Sequence, residues 1–147
     1  MAFVLLAFSC LPLSCAAPNG PDAARPLPTD PVLVAQEKAL RDAADQILLA
    51  LATRDYRLLE RWLDRAGPVA NGAQAARLLL GPHAESVVFD RWDARRISIS
   101  FDPDRLHAFA VLDVTYRRAP NRPPRPAPIK LHFTRRGLAD PWYLQLQ

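Results

Sequence analysis

The chain has 147 residues, of which 50% are apolar and 23% are charged, and its formal net charge is +4. This length predicts one domain, and the apolar fraction suffices for a sizeable core and excludes general disorder. Both cysteines, Cys10 and Cys15, lie in the first 17 residues. The sequence after them therefore has no disulfide, no cysteine-based zinc site and no thiol nucleophile.

The first 17 residues, MAFVLLAFSCLPLSCAA, are uncharged and shorter than the roughly 20 apolar residues of a membrane-spanning helix. They are typical of a secretory signal sequence. Leu13-Ser14-Cys15 resembles the bacterial lipobox, in which the cysteine is lipidated, although Pro12 stands where leucine is usual. Ser14-Cys15-Ala16 resembles an ordinary signal peptidase site, and an uncleaved anchor or a cytosolic protein is a further alternative. We expect an extracytoplasmic, membrane-anchored lipoprotein with the lipid on Cys15, or a soluble periplasmic protein.

Residues 18–30, PNGPDAARPLPTD, are rich in proline and polar residues. Because such a segment cannot bury a core, it predicts a tether between the leader and the domain. Asp30 is a suitable N-cap and Pro31 a suitable first helical residue. Apolar residues then recur at steps of three and four, which predicts a helix over about residues 31–52. The domain is expected to cover residues 31–147.

Two shorter helices follow in the predicted order. Asp55 and Asn71 are suitable N-caps, and Gly67-Pro68 and Gly81-Pro82 are suitable stops. The apolar residues expected to face the core in the first of these helices are Leu59, Trp62 and Leu63. In the second, some combination of Ala75, Ala76, Leu78 and Leu79 is expected to be buried.

After Pro82 the apolar period changes to two, which predicts strands. One strand covers about residues 97–101 and a long one covers 105–118, and the turn between them predicts an antiparallel hairpin. A proline-rich loop is expected over 119–128, followed by strands near 129–133 and 142–146. In the long strand, one face should be buried by Ala108, Ala110, Leu112 and Val114, while His107, Phe109 and Asp113 face away from the helices.

This order of elements predicts an α+β fold. A long N-terminal helix and two shorter helices should pack on a curved antiparallel sheet of about four strands. Residues 50–64, ALATRDYRLLERWLD, resemble the helix-turn-helix segment of the nuclear transport factor 2-like superfamily, and the ending PWYLQLQ is similar to its last strand. The resemblance covers about residues 33–147. It implies a cone-shaped domain with an apolar pocket between the long helix and the sheet.

We expect the pocket to be lined by Leu40, Ile47, Tyr56, Trp62, Leu112, Tyr116 and Trp142. The inward positions of the strands are apolar, so no carboxylate with a raised pKa is expected in the pocket. We therefore predict a non-catalytic domain that binds a protein partner or a small apolar ligand. One alternative is a cofactor-free isomerase or dehydratase, as the resemblance implies for enzymes of the superfamily. Another is a purely structural lipoprotein or accessory subunit without a pocket. No metal or cofactor motif is present, and we expect none to be bound.

The strongest charge pattern covers residues 117–136, which contain seven basic residues and no acidic one. Such a segment predicts binding to an acidic protein or to anionic lipid headgroups. Nucleic acid is not expected, because the loop has no aromatic residues for base stacking. A solvated loop without a partner is the alternative. The seven residues are Arg117, Arg118, Arg122, Arg125, Lys130, Arg135 and Arg136.

Overall fold

The computed structural model describes residues 30–69 and 71–146. The leader with Cys15 and most of the predicted tether lie outside the described residues. The helices are α1 (Pro31–Thr53), α2 (Tyr56–Glu60) and α3 (Gly72–Leu80), and the strands are β1 (Val88–Trp92), β2 (Ser98–Phe101), β3 (His107–Arg117), β4 (Arg125–Thr134) and β5 (Tyr143–Gln145).

The predicted α+β class is confirmed, with three helices preceding one antiparallel sheet. β3 is the central strand. β4 pairs with one edge of β3 along almost the whole length of β3. β1 and β2 pair with the other edge of β3, and β5 pairs with β4. The described sheet has five strands rather than about four, because Val88–Trp92 pairs with the C-terminal end of β3.

The three predicted N-caps are confirmed. The Asp30 carboxylate accepts a hydrogen bond from the Val32 amide, the Asp55 carboxylate from the amide of Leu58, and the Asn71 side chain from that of Gln74. These bonds satisfy amides that have no partner within their helices. α2 ends at Glu60, before the predicted stop, and the chain continues through turns to α3.

The core lies between α1 and the inner face of the sheet. The predicted inward residues of β3 are all buried, and they meet fully buried residues of α1 such as Leu40 and Ile47. Asp45 of α1 accepts a hydrogen bond of 2.8 Å from the indole of Trp92, which ties the helix to β1. Of the four apolar residues of α3 from which the buried ones were expected, Ala75 and Ala76 are buried, whereas Leu78 is 48% exposed.

β4 begins at Arg125, inside the segment that was predicted as a loop. Pro126 and Pro128 lie opposite Thr115 and Asp113 of β3. A proline cannot donate to a sheet, so it is tolerated where its nitrogen points away from the neighbouring strand. β5 pairs only with residues 132–134 of β4, which leaves the proline-containing half of β4 as an edge. The prolines therefore lie where no described strand on that side needs the N–H that they lack.

Candidate functional site

The seven residues predicted to line a pocket occupy three kinds of position. Leu40, Ile47 and Leu112 belong to the buried core, Tyr56 and Trp62 are half-buried against it, and Tyr116 and Trp142 line two separate surface grooves. The structure therefore does not bring Tyr116 and Trp142 to one groove.

The basic segment divides into residues that hold the fold together and residues that do not. Arg135 was predicted to bind anions at the surface, and this is wrong, because the residue is only 5% exposed. Its guanidinium donates hydrogen bonds of 2.8 Å to the backbone carbonyls of Arg105 and Leu138. It also lies over the Trp142 ring, 4.4 Å from the centroid. Burial lowers the pKa of the Arg135 guanidinium, and the nearby Arg105 charge adds to this effect.

Two more arginines of the segment are paired within the domain. Arg117 makes a bidentate contact with Asp90, at 2.6 and 3.0 Å, and donates to the carbonyl of Pro120. Arg136 pairs with both carboxylate oxygens of Asp64 at 3.0 Å. A hydrogen bond from the Ala66 amide and the Arg136 pair together hold the pKa of Asp64 below its usual value. Arg117 and Arg136 are therefore largely neutralised by their own domain.

Three arginines of the segment line one groove. Arg118, Arg122 and Arg125 are exposed, and with Tyr116 and two loop residues they surround about 420 Å³ of space. In the part of the chain that the structure describes, none of these three side chains has an ion pair or a hydrogen bond. We call this feature the arginine groove.

The loop that carries the arginine groove is held in place by its neighbours. The Arg117–Asp90 pair joins the base of the loop to β1, and the Arg122 amide donates to the Ala119 carbonyl across a turn. The Tyr116 ring packs near Phe89, with 6.4 Å between the centroids. Three prolines further restrict the backbone of residues 118–124. A loop that is ordered before binding loses less entropy when it binds.

The outer face of the sheet carries a second group of functional side chains. His132 of β4 stacks on Phe109 of β3, with 4.5 Å between ring centroids, and His107 lies 5.4 Å from His132. The Lys130 ammonium lies 4.2 Å from the centroid of the Phe109 ring. Burial lowers the pKa of His132, with a contribution from His107. The outward position of His107 and His132 is as predicted, but Gln145, which pairs with His132 in the sheet, was missed.

The isomerase alternative needs a carboxylate that acts as a base, and the candidates Asp64 and Asp113 lie in different parts of the domain. Asp64 forms the ion pair with Arg136, which stabilises its charged form and makes it a weak base. Asp113 is exposed on the outer face and lies opposite Pro128 in the register of β3 and β4. Neither carboxylate lies in an apolar cavity with a histidine or tyrosine, which is the arrangement that the isomerase alternative requires.

Among the described residues, no group of three histidines or acidic residues is arranged to hold a metal ion. None of the described helices is long and apolar enough to cross a membrane. Comparison with protein-family models, with curated proteins and with solved structures found no match to this chain.

Proposed function

We propose that this chain is a non-catalytic binding domain whose arginine groove binds an acidic segment of a partner protein. The observation that carries the proposal is the contrast between neighbouring arginines. Arg117, Arg135 and Arg136 have partners within the domain, whereas the three arginines of the groove have none in the described chain. Guanidinium groups pair with carboxylates in a bidentate geometry, so unpaired arginines around a groove suit an acidic peptide.

Two features favour a protein partner over the anchoring membrane. The described chain starts at Asp30, which contacts Arg105 at the N-terminal end of β3, while the groove lies at the other end. Eleven residues of strand separate these ends by about 33 Å. Moreover, no large apolar side chain is exposed in residues 118–124, so this loop offers nothing to insert between lipids.

The proposed setting of the domain is the extracytoplasmic side of a membrane, with a lipid on Cys15. The uncharged leader and the Leu13-Ser14-Cys15 sequence support this part of the proposal. A lipid anchor restricts the protein to the membrane surface. The arginine groove lies at the end of β3 that is remote from Asp30.

The experiment compares two double variants that lose the same charge. Arg122→Ser/Arg125→Ser removes two groove arginines, and Arg95→Ser/Arg96→Ser removes two exposed arginines that line none of the described grooves. Binding of a hexaglutamate peptide is measured by calorimetry at low and high salt. Because each exposed ion pair contributes roughly 0.2–1 kcal/mol, the groove variant should bind about fivefold more weakly.

The control variant should bind hexaglutamate within about twofold of the parent protein, and salt should weaken binding in both because it screens exposed charges. Equal losses in the two variants would show that only net charge matters and would contradict the proposal. Vesicles containing phosphatidylglycerol are tested in parallel. Groove-dependent binding to vesicles, without binding to the peptide, would replace the acidic protein with the membrane as partner.

A further inference from the structure

A groove of about 310 Å³ lies on the outer face of the sheet, beyond the end of β5. Its volume is at the lower end of the range for small-molecule sites. The lining residues come from α3, β3, β4 and the end of the chain, and we call the feature the outer groove. They are Leu78, Leu79, Phe109, Lys130, His132, Gln145 and Leu146.

The outer groove is lined by two kinds of residue, which are polar and aromatic side chains of the sheet on one side and leucines on the other. Phe109, His132 and Gln145 are directly opposite one another on β3, β4 and β5, and Lys130 is two residues before His132. Leucines from α3 and the last part of the chain supply the apolar side. Leu78 is among the most exposed large apolar residues described, although it lies beside a sheet. The groove therefore has a polar wall and an apolar wall.

The polar wall contains groups without partners. Within the described chain, the His132 Nε2 and Gln145 Oε1 atoms are buried and have no hydrogen bond. Buried polar atoms in folded proteins nearly always have a hydrogen-bond partner, so these two atoms call for an explanation. The terminal torsions of histidine and glutamine are soft, and a modest rotation would turn either group towards the groove.

Lys130 gives the polar wall its charge. The ammonium is exposed and held over Phe109, and no carboxylate within the described residues forms an ion pair with it. A cation that is positioned by an aromatic ring keeps its capacity to bind an anion. The charges that act on the pKa of His132 come from His107, Asp102 and Lys130, and Asp102 is the acidic one of the three. Among the described residues that line the groove, Lys130 is the one with a formal charge, and this charge favours a ligand with a negative charge.

We propose that the outer groove binds a small amphipathic carboxylate, such as a medium-chain fatty acid. The carboxylate contacts the Lys130 ammonium and accepts hydrogen bonds from the Nε2–H of His132 and from the side-chain amide NH2 of Gln145. The hydrocarbon chain lies against Leu78, Leu79 and Leu146, which removes these apolar surfaces from water. This site is separate from the arginine groove and does not depend on the function proposed for it.

The test is titration with octanoate at pH 7.5, followed by amide and side-chain NMR signals. We expect saturable shifts at the groove residues, with Gln145 and Leu78 as reporters. Lys130→Gln should weaken binding about fivefold, as for loss of an exposed ion pair. Lys38→Gln is the matched control, because Lys38 is the other lysine of the chain and pairs with Asp42 on α1. It should leave octanoate binding unchanged.

Two further probes separate the contributions of charge and hydrocarbon. Octylammonium carries the same chain with the opposite charge and should bind more weakly than octanoate, and acetate should bind more weakly because it lacks the chain. The Arg122→Ser/Arg125→Ser variant should bind octanoate normally. The proposal is overturned if octanoate gives no saturable shift at Gln145 or Leu78, if octylammonium binds equally well, or if the two lysine variants behave alike while both retain the parent spectrum.

Discussion

Arg135 supplies the sharpest test of how the fold is held together. Replacing Arg135 with methionine keeps an unbranched side chain but removes the guanidinium. The change leaves the carbonyls of Arg105 and Leu138 without their donor and removes the contact with the Trp142 ring. A hydrogen bond from a charged group contributes about 1.5–3 kcal/mol, and a cation–π contact contributes about 0.5–2 kcal/mol. Because Arg105 and Leu138 are exposed, water can hydrogen-bond to their carbonyls in the variant, and the lower ends of both energy ranges apply. We expect a destabilisation of about 3–4 kcal/mol.

The neighbouring arginine provides the control for this prediction. Arg136→Met removes an exposed pair with Asp64, which contributes roughly 0.2–1 kcal/mol. Urea denaturation followed by tryptophan fluorescence gives the free energy of unfolding of both variants. If Arg135→Met and Arg136→Met lowered it by the same small amount, the assignment of Arg135 as a buried structural residue would be refuted. Arg135→Lys should fall between them, because lysine keeps the charge and a single bond.

Two predictions concern the outer face and the leader. The lowered pKa of His132 means that the unfolded chain binds the proton first, so the free energy of unfolding should fall as the pH drops below about 6.5 and level off below the folded-state pKa. His132→Phe keeps the ring stack and should reduce this fall in the free energy of unfolding. Urea denaturation at several pH values measures the effect, and His83→Asn, at an exposed position, is the matched control. A pH slope that is unchanged in His132→Phe would contradict the prediction. Cys15→Ala should release the protein from membranes into the soluble fraction, whereas an intact mass showing an unmodified N-terminus at Ala17 would exclude the lipid anchor.

The helices and the central strand could be predicted because their signals are local. Asp30, Asp55 and Asn71 each cap a helix through an amide two or three residues away, so the residue type alone indicates the boundary. The alternation along β3 likewise shows its buried face. Because the caps and the alternation depend on residues that are close in the chain, the sequence pattern alone is enough to predict them.

The position of Arg135 could not be predicted, because its partners are remote in the chain. Its hydrogen bond to the Arg105 carbonyl crosses 30 residues, and charge alone gives no sign of burial. The prolines of β4 were misassigned for a related reason. Pro126 and Pro128 break a central strand but are compatible with an edge, and only the short pairing of β5 makes that part of β4 an edge. The Phe109–His132–Gln145 row likewise depends on the register of three strands.

The arrangement of the basic segment also bears on why the groove arginines are present. Arg118, Arg122 and Arg125 line one groove and pair with no carboxylate of the described chain, so ion pairing gives these three charges no part in stabilising the fold. Asp90 forms an ion pair with Arg117 at the base of the same loop, and not with the three groove arginines. A fold that needed only stability could replace these three residues with uncharged ones. Binding of an acidic partner, as we propose, gives these three charges a role that the fold itself does not supply.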